Sequence, residues 1–141
     1  MRRMAWRSFV VLQHEWNGVH WDLMLDRGEG LSTWAVDEPI RPDRDLPARQ
    51  LPVHRRFYLR YEGEVSGGRG VVHRWDQGVY RELLWTDDRV EIEIRGDHLE
   101  GTLLLERGVV SASSASAGLT DSTGGSSSST IPWRLRLRSV D

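Results

Sequence analysis

Apolar and polar residues alternate along most of this chain with a period of two, and turn residues interrupt the alternation roughly every 8–12 positions. Val90-Glu91-Ile92-Glu93-Ile94 is the cleanest stretch, with branched apolar side chains on one face of a strand and carboxylates on the other. Ser8 to Gln13 departs from alternation as an apolar run, short enough for a buried strand. Asn17-Gly18 is a strong hairpin signal, and Val19 to Leu25 reads as the returning strand. Arg27-Gly28-Glu29-Gly30 turns the chain into a third strand, Leu31 to Val36. Phe57 to Val65, Val71 to Trp75, Gly78 to Trp85, Arg89 to Arg95, His98 to Arg107 and Trp133 to Val140 continue the pattern. Ser66-Gly67-Gly68-Arg69-Gly70, Asp76-Gln77-Gly78, Thr86-Asp87-Asp88 and Gly96-Asp97 read as the turns between them. Helix signals are poor. The pattern predicts an all-β domain, a sandwich or a barrel.

Two segments break the rhythm. Asp37 to Pro52 holds four prolines and many charges, which predicts a long surface crossover. Residues 109–131 are almost entirely Ser, Ala, Thr and Gly, too little apolar surface to order a segment, and read as a flexible insertion. Because the Trp133 strand resumes the alternation, the insertion interrupts a hairpin, and residues 1–141 form a single domain.

Composition then narrows the chemistry. The chain has 141 residues, a formal net charge of −2, and 19 basic residues that are all arginine. Without lysine it can form neither a Schiff base nor a lysyl-nucleotide intermediate. Without cysteine it has no thiol nucleophile, disulfide, zinc-thiolate knot or iron–sulfur cluster. Near-balanced charge means that any anion site must be local. No window is long and apolar enough for a membrane span, and the Phe9–Leu12 stretch behind the first arginines is too short for a secretory signal. A cytoplasmic protein is expected.

The sharpest local feature lies around the first hairpin. Residues two apart on a strand share a face, so His20, Asp22 and Met24 point one way. Folding at Asn17-Gly18 returns His14 beside His20, since neighbouring strands lie ~4.8 Å apart. Two imidazoles and one carboxylate with open positions suit Mn²⁺, Fe²⁺ or Zn²⁺. The same residues also fit ordinary hydrogen-bonded strand positions without a metal. His54 and Tyr58 lie four apart, where a His and a phenol could hold and protonate a phosphate or sugar oxygen or pack as an interior pair. Arg69 in its glycine turn could reach an anion or stay solvated. Arg134, Arg136 and Arg138 form a one-faced stripe, read most simply as balancing Glu91 and Glu93, with nucleic-acid backbone binding as the other use. His73 and His98 have no companions.

Taken in order, Phe9-Val10-Val11-Leu12-Gln13-His14, His20-x-Asp22 and Ser32-Thr33-Trp34-Ala35-Val36 resemble the opening of the 3′-phosphoesterase domain of bacterial DNA ligase D. His54, Tyr58, Tyr61-Glu62-Gly63, Trp75-Asp76-x-Gly78, Gly96-Asp97-His98-Leu99-Glu100-Gly101 and the Trp133 strand follow in the order of that domain. The resemblance implies a compact antiparallel β-barrel and Mn²⁺-dependent trimming of 3′ ends of DNA or RNA–DNA, removing a terminal ribonucleoside and then the 3′-phosphate. Carried over, His14, His20 and Asp22 hold the metal, His54 contacts the phosphate and Tyr58 supports the site. The expected partners are nucleic-acid 3′ ends and a separate ligase or polymerase of end joining, the protein itself being a monomer.

Three positions depart from the family pattern. Met24 stands where the family has a phosphate-clamping arginine, and Asp37-Glu38 stands where a lysine is expected. Pro52-Val53 replaces the glutamate before the phosphate-binding histidine. Arg55, Arg56 or Arg69 could supply the missing charge from other positions. Two further readings stay open: a DNA-end or partner-binding module that has lost catalysis, and a metal-dependent barrel enzyme acting on a small phosphorylated substrate.

Overall fold

The computed structural model describes residues 5–108 and 131–139. The expected Ser-rich insertion therefore lies almost wholly outside the described residues. Nine strands run in chain order: β1 Trp6–Glu15, β2 Val19–Asp26, β3 Leu31–Val36, β4 Leu46–His54, β5 Gly63–Glu64, β6 Val71–Trp85, β7 Arg89–Gly96, β8 Glu100–Arg107 and β9 Trp133–Ser139. All pair antiparallel in the order β1-β2-β3-β4-β9-β8-β7-β6-β5, and β1 also pairs with β6. The sheet thus closes into a ring, and β5 adds to the free edge at the start of β6. The all-β antiparallel expectation holds. Among the described residues no helix is long and apolar enough to cross a membrane.

Closure gives the sheet an inside and an outside, and alternation sorts the side chains between them. Phe9 and Val11 of β1, Leu23 and Leu25 of β2, Trp34 of β3, Ile92 of β7 and Leu135 of β9 belong to one buried core enclosed by the ring. Val10 and Leu12 point the other way and join Met24, Leu31, Val65 and Val72 in a second cluster outside it. Tyr58, Leu59 and Tyr61 cover that second cluster. The apolar run in β1 follows from this arrangement, because the strand is buried on both faces.

Four expectations need correction. The second half of the Asp37–Pro52 crossover is β4, whose ladder passes from β9 at Leu46–Ala48 to β3 at Ala48–His54. Its prolines are tolerated because Pro52 sits in a bulge, opposite the register shift between Leu31 and Thr33. Phe57 to Val65 is not a strand but a short 3-10 helix, Arg56–Leu59, followed by the two residues of β5. Val71–Trp75 and Gly78–Trp85 are one strand, bulged against β1 between Val11 and Leu12. The β9 arginines do not balance Glu91 and Glu93, because β9 lies between β4 and β8. Arg134 pairs with Glu106 and Asp45, and Arg136 with Asp45, while Arg89 takes Glu91 and Arg81 takes Glu93.

A candidate metal and phosphate site on the outer face of the ring

The first hairpin supplies the centre of the site. Asn17 and Gly18 take φ values of 58° and 111°, the left-handed region that an Asn-Gly pair enters at low cost, and the Trp16 N–H closes the loop on the Gly18 carbonyl at 2.9 Å. This register sets His14 directly opposite His20 and Leu12 opposite Asp22. The imidazole centroids are 4.9 Å apart, edge to face. His20 Nδ1 lies 2.6 Å from Asp22 Oδ1, and His14 Nδ1 lies 3.7 Å from Asp22 Oδ2. Each of the three residues offers a ligand atom, and these atoms lie within 4.8 Å of one another.

The glycine turn predicted at 66–70 holds this set from behind. His14 Nε2 donates to the Arg69 carbonyl at 2.7 Å, which turns Nδ1 to the side of Asp22. A ligating histidine is commonly fixed in this way, its second nitrogen bound to a backbone carbonyl. Gly70 makes the approach possible: its φ is 86°, and a Cβ there would collide with the Glu15 carbonyl. Arg69 therefore acts on the site through its backbone, while its guanidinium bonds the Ser66 carbonyl and hydroxyl.

His14, His20, Asp22, Met24, His54, Tyr58 and Arg69 all line one cleft of about 520 Å³. The bulge at Pro52-Val53 carries His54 to its rim, where Nδ1 donates to the Pro52 carbonyl at 2.8 Å and leaves Nε2 uncommitted. Tyr58, on the 3-10 helix, meets His54 edge to face at 5.9 Å. His54 thus ends a strand, and Tyr58 belongs to the helix that follows it. Met24 is 2% exposed within the second apolar cluster, so no charge stands at that point of the wall. His73 and His98 lie elsewhere, beside Glu15 and Trp75 respectively.

One lining cation escaped the sequence reading. Asp22 pairs with Ala35 on β3, and Ala35 pairs with Arg49 on β4, so Arg49 sits two strands across from Asp22 on the same face. Its guanidinium is held by both oxygens of Asp37, at 3.1 and 3.0 Å. Glu38 is occupied similarly by Arg44, whose hydrogen bonds hold its carboxyl below the usual carboxylate range. The two acidic residues in place of the expected lysine are thus neutralised by arginines of the following segment.

Chemically, the cleft offers two neutral-capable imidazoles and a nearly buried carboxylate, a mixed N/O donor set that fits a divalent ion such as Mn²⁺, Fe²⁺ or Zn²⁺. His54 and Arg55 line the same cleft, together with Arg49, held by Asp37, and Arg69, held by Ser66. These features define an all-β protein with three candidate metal ligands grouped in a cleft that arginines line. Residues 12–107 match the family model of the DNA ligase D 3′-phosphoesterase domain, and the chain belongs to that family. It is 29% identical over 111 residues to the multifunctional non-homologous end joining protein LigD of Mycobacterium bovis, an alignment covering 71% of this chain. The multifunctional non-homologous end joining DNA repair protein LigD of Mycobacterium tuberculosis aligns at the same identity and coverage in one strain and at 28% identity in another. The matched region is 14% of the length of these relatives.

Proposed function

We propose that this protein is a metal-dependent phosphoesterase that trims 3′ ends of DNA during repair, removing a terminal ribonucleoside or 3′-phosphate. The observation that carries this reading is the convergence of His14, His20 and Asp22 within 4.8 Å, in the same cleft as the uncommitted Nε2 of His54. His14, His20 and Asp22 would hold the ion, with Mn²⁺ the first choice. A divalent ion there would neutralise charge on a phosphate oxygen and lower the pKa of a water nucleophile. His54, oriented by Pro52, exchanges a proton or hydrogen bond with the phosphate, and Tyr58 packs against its ring. Arg55 and Arg69 add positive charge at the rim. No covalent intermediate on the protein is needed, which agrees with a chain lacking lysine and cysteine. We place the activity in the cytoplasm, on ends later joined by a separate ligase or filled by a polymerase.

The test is a primer–template ending in one ribonucleotide or a 3′-phosphate, incubated with Mn²⁺ and wild-type or His20→Ala protein. Turnover by wild type and its loss in the variant is the expected result. Absence of wild-type turnover, or equal turnover by both, overturns the reading. The buried Met24 supports a second one, in which the domain binds 3′ ends without cleaving them. End binding with no product over the same incubation would select it.

A further inference from the structure

A second hollow, of about 590 Å³, lies on the other side of the 3-10 helix from the cleft. Tyr58 lines the cleft, whereas Arg56, Leu59 and Arg60 line the hollow. The two share the outer face of β1: Ser8 borders the hollow, Val10 lies under the helix, and Leu12 and His14 border the cleft. Arg74 of the hollow pairs with Leu12, which pairs with Asp22 of the cleft, so two strand spacings, about 10 Å, separate them.

The hollow is set apart by the state of its cations. Arg56 is neutralised by both oxygens of Asp26, at 3.0 and 2.9 Å. The guanidinium groups of Arg60 and Arg74 have no carboxylate partner among the described residues, Glu62 accepting only the Arg74 backbone N–H, and Arg74 Nε is buried without a hydrogen-bond partner. Asp97 is the single acidic residue of the wall, so the free charge of the lining is positive. Between hollow and cleft the helix presents Phe57, 54% exposed, with the Arg55 guanidinium over its ring at 5.7 Å. Guanidinium groups without protein partners in an open hollow match phosphate oxygens, and an exposed aromatic ring with an arginine suits the passage of a nucleic-acid strand.

We infer that Arg60 and Arg74 each hold one of two neighbouring backbone phosphates of the same nucleic acid whose 3′ end enters the cleft. This inference rests on the 3′-end reading proposed above. A span of about 10 Å corresponds to the axial length of roughly three base pairs. A shorter duplex ends before it reaches the hollow.

The experiment measures binding of fluorescent 3′-phosphate DNA hairpins, with stems of about twelve and about two base pairs, across a salt series. Neutralising two phosphate contacts changes the slope of log K against log salt by about 1.8. The Arg60→Gln/Arg74→Gln variant should lose that slope on the longer stem, shrinking the wild-type advantage about tenfold between ~50 and ~200 mM salt. It should keep the wild-type slope on the short stem, and Arg138→Gln, which removes an exposed charge on β9, should keep it on both. Arg60→Gln alone, at an exposed side chain, should lose about 0.9 and decides the matter where the double variant is unfolded. An unchanged slope on the longer stem, or an equal loss on both stems, overturns the inference. If wild type trims ends and the slope does not change, the inference alone falls. If wild type neither binds nor trims either hairpin, the 3′-end reading falls and takes the inference with it.

Discussion

Two aspartates lie on either side of β1, opposite adjacent residues, and each is 2% exposed, yet they are satisfied in opposite ways. Asp76 on β6 accepts four backbone N–H groups, from Gln77, Asp97, His98 and Leu99, at 2.8 to 3.0 Å. Asp22 on β2 meets two imidazoles instead. Backbone donors cannot leave, so the Asp76 carboxylate is committed to tying the 96–99 turn across the bulge in β6. Imidazole protons can be exchanged for a metal ion, so the Asp22 carboxylate stays available. Equal burial therefore marks a structural residue in one place and a ligand candidate in the other, and the partners make the distinction.

The largest expected effect breaks the structural half of this pair. Asp76→Ala leaves four N–H groups without their acceptor, at a cost of roughly 3–5 kcal/mol, since each orphaned buried donor costs ~1–3 kcal/mol and part is recovered from water. Urea unfolding should report the loss as a lower midpoint. A change below about 1 kcal/mol would mean that the turn is held by other contacts. Asp22→Asn should cost far less without metal, because one acceptor oxygen remains for His20. Its effect lies in linkage. Mn²⁺ at about a hundred times its dissociation constant should stabilise wild type by ~2.7 kcal/mol and leave Asp22→Asn unmoved. Equal stabilisation of both proteins would remove Asp22 from the ligand set.

A third aspartate sharpens the contrast, because its partner is charged. Asp26 binds Arg56 through both oxygens and the Gly28 N–H through one, fastening the 3-10 helix to the end of β2. The Arg56 hydrogen bonds lower its pKa below the ordinary carboxylate value, against the opposing effect of burial. A lowered pKa means that stability is present above the unfolded value of about 3.9 and is lost as pH falls through the folded value. Asp26→Asn should cost roughly 1–2 kcal/mol at neutral pH, the exposed Arg56 side discounting the pair, and should flatten the acid limb of a pH–stability curve. An unchanged acid limb would assign that loss to other carboxylates.

The same division between local and distant partners explains what could be read from the residues alone. His14, His20 and Asp22 were legible because a hairpin register depends only on its own loop and alternation. β3, β7 and β8 were legible, to within a few residues, from period two. β4 was obscured because Pro47 and Pro52, breakers in most strands, sit where its ladder changes neighbours and bulges. Asp76-Gln77-Gly78 looks like a turn because the residues that make a bulge are those that make turns. Tyr58, Leu59 and Tyr61 mimic a strand because their apolar side chains cover a second cluster outside the ring. Arg49 could not be found locally, since its position beside Asp22 needs the pairing of three strands.

The smallest expected effect concerns a half-buried carboxylate whose charged partners are exposed. Glu106 on β8 lies opposite Arg89 of β7 and Arg134 of β9, and its carboxylate contacts both guanidinium groups. The geometry is good, but the arginine side chains are 42% and 41% exposed, so water competes for each pair. Glu106→Gln should therefore cost less than about 1 kcal/mol in low salt, and the difference from wild type should shrink further near 1 M salt as exposed charges are screened. Thermal unfolding of both proteins at the two salt concentrations measures it. A loss as large as that of Asp76→Ala, persisting in high salt, would show the ladder to be buried in effect. Contact with two arginines at once would then outweigh exposure in ranking the carboxylates of this fold.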